Sequence, residues 1–298
     1  MQFRQLEYLV ALARERHFAR AAAASFVSQP ALSDAIRRLE RELGVTLVER
    51  DQAFQSLTPA GVHVVEWAQR VLAEQQSLHD ELGAMRSQLA GTLRLGVVPT
   101  AVTYTPRLTV PFTDAHPLVS VDIHANLTAD EIVEQIAAFE LDAGITYIDG
   151  LARGLTAMPL YRERYAVAMD QTAIDPAWRE DGIPPEMLGN LRLVMLSRRN
   201  WSRKFLDIEL FRVGVVAAPR IETDSVAALF AHASTGEYAA VISTTWIESL
   251  PLPNATGVVP LRVEVAPTIG LIARQGEPGS MIGDAFFNVA RTGQPRRQ

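Results

Sequence analysis

The 298-residue chain contains no cysteine. That excludes a disulfide framework, a thiolate metal site and a thiol redox switch together. Lysine is nearly absent: Lys204 is the only one, and it stands between Arg203 and Phe205. A phosphate-cradling P-loop needs a Gly-Lys pair, so P-loop nucleotide chemistry is excluded. No apolar run approaches the ~18 residues of a membrane span, and no membrane partner is expected. At the N-terminus Arg4 and Glu7 interrupt the first apolar stretch, and Arg14, Glu15 and Arg16 follow. No secretory h-region is read there, and the expected compartment is the cytoplasm. The six histidines (His17, His63, His79, His116, His124 and His232) form no HExxH and no pair at metal-ligand spacing. There is no GxSxG elbow, and no GxGxxG follows a strand. No metal, cofactor or catalytic residue is assigned, and the chain is not read as an enzyme. Hydrophobic residues at 48%, charged residues at 21% and a net charge of −6 exclude wholesale disorder and a uniformly basic nucleic-acid coat.

What is present divides into unlike parts. The length suits about two domains. Residues 1–58 read as compact and helical. Phe3, Leu6, Leu9, Val10 and Ala13 form one apolar stripe at helical spacing. An alanine-rich helix follows over Phe18 to Ser25. Ser28-Gln29-Pro30 is an N-cap with proline in the first turn, opening a helix that turns Ala31, Leu32, Ala35, Ile36, Leu39 and Leu43 inward and ends at Gly44. Thr46 to Val48 and Gln55 to Leu57 are expected as two short strands. From Thr58-Pro59, apolar positions recur at four-three spacing: Val64, Ala68, Val71, then Gln75, then Leu78, Leu82, Met85 and Leu89. That heptad seam over residues 59–90 favours a coiled coil, and with it a homodimer, over one face of a helix packed on its own domain.

From Thr92 strand patterns alternate with helical ones, which predicts parallel sheets. Strands are expected at Thr92 to Val98, Val119 to Ala125, Leu141 to Tyr147, Leu191 to Leu196, Arg220 to Thr223 and Tyr238 to Ser243. Helices are expected at Ala129 to Phe139, Ser202 to Phe211, Ser225 to Ser234 and Ser280 to Ala290. Met158 to Met169 and Val258 to Arg274 read as two long crossing strands. Two crossings imply two α/β lobes, lobe I at about 91–162 and 268–298 and lobe II at about 163–267, within a domain of residues 91–298.

The helix opened by Ser28 presents short polar side chains at its N-terminal end, where base edges are reached in a major groove. Gln29 can bond adenine in bidentate fashion, and Ser33 can serve several bases. Arg37 lies one turn along the same face, and Arg38 and Arg41 could reach phosphates. Residues 1–60 hold eight arginines against seven acids, leaving about −7 for the rest. On periodicity alone, a helix-turn-helix and a plain helical bundle stand about equal.

Four runs separate these readings: Phe3-Arg4-Gln5-Leu6-Glu7-Tyr8-Leu9, Ser25-Phe26-Val27-Ser28-Gln29-Pro30-Ala31-Leu32-Ser33, Ile36-Arg37-Arg38-Leu39-Glu40-Arg41-Glu42-Leu43-Gly44-Val45 and Leu57-Thr58-Pro59-Ala60-Gly61. Together they resemble the LysR-type transcriptional regulators. The resemblance implies an N-terminal winged helix-turn-helix, a long linker helix and a C-terminal two-lobed α/β domain like periplasmic binding proteins. It implies a sequence-specific regulator of transcription, modulated by a small molecule held between the lobes. Gln29, Pro30 and Ser33 match the groove-contacting start, and Arg50 matches the basic residue of the wing. Asp34 stands where the family often carries arginine, and the wing Asp51-Gln52-Ala53-Phe54-Gln55 lacks the usual extra arginines. Both changes predict weaker phosphate attraction per subunit. Implied partners are double-stranded DNA at an imperfect palindrome, a second copy and, as the family suggests, a tetramer, with RNA polymerase as a further candidate. The effector is expected to be an anion, because ligands in such folds meet helix N-termini. Its candidate contacts are Thr100 and Ala101 after the first strand, Thr128, Ser197 with Arg198 and Arg199, and Thr223, Asp224 and Ser225. Each could equally be an ordinary cap or turn residue. A small-molecule binding module without a DNA role is the alternative.

Overall fold

The computed structural model describes residues 1–51, 53–84, 89–151, 154–249, 255–263, 266–276 and 279–293. They pack as two compact units: Met1–Leu89 with Gly276–Met281, and Ala90–Gln275 with Ile282–Gln298.

In the first unit α1 (Phe3–Glu15) buries Gln5, Leu6, Leu9 and Leu12. The expected stripe is thus rotated slightly: Phe3 is exposed, and Gln5 takes an inner position. Gln5 can be buried because its Nε2 donates to Glu42 Oε1 at 3.3 Å. The short helix α2 (Phe18–Ala24) turns Ala21 and Ala22 inward, and these small side chains let α1 approach closely. α3 (Gln29–Leu43) begins as its sequence dictates. Ser28 Oγ accepts from the Ala31 N–H, Pro30 lies in the first turn, and Gly44 closes the helix at φ +70°. Leu32, Ile36 and Leu39 face the core, whereas Ala31 and Leu43 are exposed, so the inward face is narrower than expected. Glu40 Oε1 accepts from the backbone N–H groups of Leu47 and Val48 at 3.0 and 3.1 Å. This carboxylate fixes where the antiparallel hairpin β1 (Val48–Asp51) and β2 (Ala53–Leu57) leaves α3.

α4 (Pro59–Ala84) follows. Its first turns lie on the unit's own core: Val65 and Ala68 are buried with Leu6, Leu9 and Leu47, and Val64, Val71 and Leu72 pack against the same cluster. Ala68 is buried there and Val64 and Val71 are half-buried, so this part of the expected dimer seam lies on the helix's own domain. The coiled-coil spacing there reflects a helix lying on its own domain. Leu78 is 55% exposed and remains available, Leu82 lies on the same helix, and Met85 is outside the described residues.

The second unit contains two five-stranded sheets. The chain enters through β3 (Ala90–Val97), a 3₁₀ turn at Pro99–Tyr104, α5 (Pro106–Ala115), β4 (Leu118–His124), α6 (Ala129–Ala137), β5 (Ala143–Tyr147) and β6 (Leu155–Arg162). It crosses to β7 (Tyr165–Asp170), then α7 (Pro176–Asp181), β8 (Leu193–Leu196), α8 (Trp201–Arg212), β9 (Ile221–Thr223), α9 (Val226–Ala233), β10 (Ala239–Ser243), α10 (Thr244–Ser249) and β11 (Thr256–Pro260). It returns through β12 (Thr268–Arg274) to α11 (Met281–Gly293). Strand order is β4-β3-β5-β12-β6 in one sheet and β11-β7-β10-β8-β9 in the other.

The sheets are mixed, not parallel. β3 is parallel to β4 and β5, and β8 to β9 and β10, as crossover helices require. β12 runs antiparallel to β5 and β6, and β7 antiparallel to β10 and β11. The cause is the double crossing: the chain leaves one sheet along β6 and returns to it along β12 in the opposite sense. Neither crossing is one long strand; the first breaks at Glu163 and Arg164. No described helix is long and apolar enough to cross a membrane.

Gly61, in the first turns of α4, faces the Leu47 carbonyl so closely that a Cβ there would overlap it. Backbone, not a flexible side chain, is in the way. Gly61→Ala should therefore destabilise the first unit by at least about 2 kcal/mol. Urea unfolding followed by circular dichroism measures it; a cost below about 0.5 kcal/mol would mean that α4 shifts freely over the hairpin.

Candidate nucleic-acid interface and effector cleft

The outer face of α3 carries Gln29, Pro30, Asp34, Arg37, Arg38 and Arg41 exposed, with Ser33 half-buried beside them. All lie on one rigid element whose opposite face is locked by Leu32, Ile36 and Leu39. Asp34 Oδ1 lies 3.7 Å from Arg37 NH1. Both groups are exposed, so the pair adds little stability. The helix continues into an open groove of about 730 Å³ lined by Asp34, Arg37, Arg38, Glu40, Arg41 and the Gly44–Thr46 turn. Arg50 sits on β1 opposite Phe54. Phe18 meets Phe54 edge-on at 6.3 Å between ring centres, tying the hairpin to α2.

The effector candidates are brought together only in part. Thr100 and Ala101 are buried in the 3₁₀ turn, and Thr100 Oγ1 lies 2.9 Å from the Tyr147 hydroxyl. Thr128 is engaged as the N-cap of α6 in a reciprocal box with Glu131. The Thr128 N–H holds the Glu131 carboxyl below its ordinary range. Ser197 is half-buried; its N–H donates to Thr223 O at 2.7 Å, and its Oγ accepts from Asn200 Nδ2 at 3.4 Å. Arg199 is exposed, 3.8 Å from Glu131, and Arg198 pairs with Asp207 at 3.3 Å. Thr223 Oγ1 accepts from the Ser225 N–H, Ser225 caps α9, and Asp224 is exposed. Thr128 and Ser225 thus serve mainly as caps.

The polar centre between the two sheets is a residue the sequence reading passed over. Glu163 is fully buried where the chain crosses. Its Oε2 accepts from Tyr147 OH at 2.9 Å, Tyr165 OH at 3.1 Å and Ser202 Oγ at 3.2 Å. Tyr147 and Thr100 belong to the first sheet's layer, and Tyr165 and Ser202 to the second's. Burial raises the Glu163 carboxyl above its ordinary range, against the lowering effect of these hydroxyls. Burial also raises the Tyr147, Tyr161 and Tyr165 phenols, reinforced by the nearby carboxyl. Glu163 Oε1 has no hydrogen-bond partner, which costs about 1–3 kcal/mol. Trp201, at the start of α8, stacks on Tyr147 at 4.3 Å and 24°, with Phe205 behind it at 5.3 Å. Trp246 Nε1 donates to Thr100 O at 3.0 Å, a second contact between the layers. The remaining cavity, lined by Thr100, Tyr165, Ser202, Arg203, Ser243 and Trp246 among others, holds about 20 Å³, room for a water. Arg203 is buried and matched by Asp207 at 2.8 Å and Glu222 at 3.1 Å. Among the described residues no group of three or more side chains could hold a metal. The signal for Glu163 was in the sequence: a carboxylate two residues from Tyr161 and two from Tyr165 at the crossing between the sheets.

Two family models cover the chain. The bacterial regulatory helix-turn-helix of the lysR family matches residues 3–62, and the LysR substrate binding domain matches residues 86–294. The chain belongs to the LysR family of transcriptional regulators. The DNA-binding transcriptional dual regulator OxyR of Escherichia coli K12 is 31% identical over 93% of this chain and 91% of its own length. The transcriptional regulator EstR of Acinetobacter baylyi is 37% identical over 54% of this chain and 53% of its own length. Among solved structures, a cysteine-to-aspartate variant of full-length OxyR from Pseudomonas aeruginosa superposes with a TM-score of 0.74 at 27% identity, covering 100% of this chain and 99% of that one. CbnR bound to its target DNA shares the fold, with a TM-score of 0.66 at 22% identity over 99% and 100% of the two chains. This LysR-type chain is a DNA-binding transcriptional regulator with an effector-binding domain.

One residue beside the DNA face stands out. Phe26, in the turn before α3, is 95% exposed and holds φ +55°. Asparagine tolerates that conformation where phenylalanine is strained by about 1–2 kcal/mol. Phe26→Asn should raise the melting temperature by a few degrees; a lower melting temperature would show that the ring packs against the protein.

Proposed function

We propose that this LysR-type regulator binds an imperfect palindrome as a dimer or tetramer and that a small molecule between the two sheets shifts its hold on DNA. The observation that carries the DNA half is α3: a capped helix anchored by Leu32, Ile36 and Leu39, with Gln29, Pro30 and Ser33 at its accessible N-terminal end. In this reading Gln29 and Ser33 read base edges, Pro30 sets the helix entry, and Arg37, Arg38 and Arg50 meet phosphate. Asp34 tempers Arg37. The working division is a winged domain at 1–58, a linker at 59–90 and an effector domain at 91–298, with lobe I at 91–162 and 268–298 and lobe II at 163–267. The compartment is the cytoplasm, where the DNA is, and RNA polymerase is the partner through which transcription would respond.

Self-association is assigned to the second half of α4. Val64, Ala68 and Val71 are engaged by their own core, so Leu78, Leu82 and Met85 carry the pairing. Leu78→Asp with Leu82→Asp should convert dimers to monomers in light scattering. An unchanged mass would move the interface elsewhere.

The effector half rests on hydroxyls and aromatic rings from both sheets converging at one crossing. Binding can shift the regulator only if the ligand prefers one arrangement over another. The anion expected from helix N-termini is not adopted, because Thr128 and Ser225 cap their own helices and Arg199 and Arg203 face carboxylates. Several relatives are named hydrogen peroxide-inducible activators. A chain without cysteine cannot form the sulfenic acid or disulfide of a thiol sensor, so a peroxide response by that route does not carry over.

The test is fluorescence anisotropy with DNA from upstream of the coding region against a scrambled duplex at two salt concentrations. Gln29→Ala and Ser33→Ala should each lose about 1–3 kcal/mol of discrimination with fold and oligomer unchanged. Wild-type selectivity in either mutant would remove that residue from the reading surface.

A further inference from the structure

Glu163 is flanked in sequence by Arg162 and Arg164, yet neither neutralises it. Alternation along the extended chain turns both arginines to solvent and the carboxyl inward. Its hydrogen-bonding partners are uncharged hydroxyls: those of Tyr147, Tyr165 and Ser202 go to Oε2, and the Thr100 hydroxyl also favours the ionised carboxyl. Among the described residues no basic side chain pairs with it within 4.0 Å. The titratable groups around it are the phenols of Tyr147 on β5, Tyr161 on β6 and Tyr165 on β7, while Thr100 and Ser202 supply only hydroxyls. Oε1 is buried without a partner. The Trp201 indole, half-exposed, lies flat on Tyr147 from across the crossing. A buried acceptor with no cation, walled by aromatic rings, is chemistry that recognises a positively charged donor: the carboxyl takes the N–H, and the ring faces take the charge.

We propose that the effector of this protein is a small organic ammonium ion, which displaces the Trp201 ring from Tyr147 and donates to Glu163 Oε1. The proposal rests on the cleft reading above and names the ligand class for it. Trp201 then covers the unliganded site, and its departure distinguishes the two arrangements of the lobes. An ammonium ligand favours the ionised carboxyl. Burial raises the carboxyl in the empty site, so binding releases protons and strengthens as pH rises through that raised value. In the empty protein the sign is opposite: the closed arrangement is at its best in acid and weakens as the carboxyl ionises.

The test uses purified full-length protein with benzylammonium chloride and with sodium benzoate, which has nearly the same ring and the opposite charge. Melting temperature, tryptophan emission and calorimetry in buffers of different ionisation heat are read from acid through neutral to mildly alkaline pH. Benzylammonium should raise the melting temperature by several degrees, change the indole emission and release a fraction of a proton, while benzoate does none of these. Glu163→Gln should weaken benzylammonium at least tenfold and abolish the proton release. Trp201→Phe, which keeps an aromatic cover, should retain the melting shift and lose the emission change, so the result does not hang on one variant folding. Stabilisation by benzoate that Trp201→Phe alters would overturn the ammonium ion while leaving the cleft as the effector site. Binding of neither probe, or equal binding of benzylammonium to wild type and Glu163→Gln, would overturn the proposal. Repeating the operator titration with benzylammonium separates the two ideas: binding without any change in DNA affinity keeps the cation site and rejects its coupling to DNA.

Discussion

Taking a carboxyl out of water is costly, and the second unit does so with Glu163 at the point where its chain passes between sheets. The hydroxyls that meet it come from β5, β7 and α8, so their relative positions are set by one oxygen atom. Stacking of Trp201 on Tyr147 and the Trp246 bond to Thr100 extend the same contact outwards. Apolar surfaces elsewhere in the two sheets tolerate sliding, because dispersion is weakly directional. Hydrogen bonds to a buried carboxyl do not. The two layers therefore have a defined closed register and a polar centre that a ligand can address, which is what a two-state effector domain requires.

The DNA-binding unit solves a different problem, that of presenting a few side chains rigidly. α3 is held from below by leucine and isoleucine, at its start by Ser28, and near its end by Glu40, whose carboxylate takes two backbone N–H groups of the hairpin approach. One acid that looks like a penalty for DNA binding is thus a structural pin, whereas Asp34 faces outward. The wing hangs from α3 through Glu40 and from α2 through the Phe18–Phe54 contact.

Local signals were legible in the sequence wherever one residue acts on its own neighbourhood. Ser28, Pro30 and Gly44 bound α3 as their chemistry dictates, and Thr128 and Ser225 begin their helices. The family pattern in residues 3–61 gave the winged domain and the order of parts. What escaped was set by distant partners. Heptad spacing in α4 does not say whether the seam faces a second chain or the domain's own Leu6 and Leu9. The mixed sheets follow from a return strand more than a hundred residues after the departure. Arg198 and Arg199 read as free charge until Asp207 and Glu131 fold against them. Glu163 and Trp201 acquire meaning only when β5, β7 and α8 converge.

The burial of Val65 and Ala68 has a mechanical consequence. A helix of 26 residues is about 39 Å long, and the end of α4 that begins it is fixed into the winged domain's core. It is a lever arm with a welded joint. Moving its free end sideways by about 4 Å would turn the attached domain by roughly a tenth of a radian, a rotation large enough to move α3 relative to a groove that admits one helix. The stiffness of that joint is set by an alanine and a valine packed against leucines.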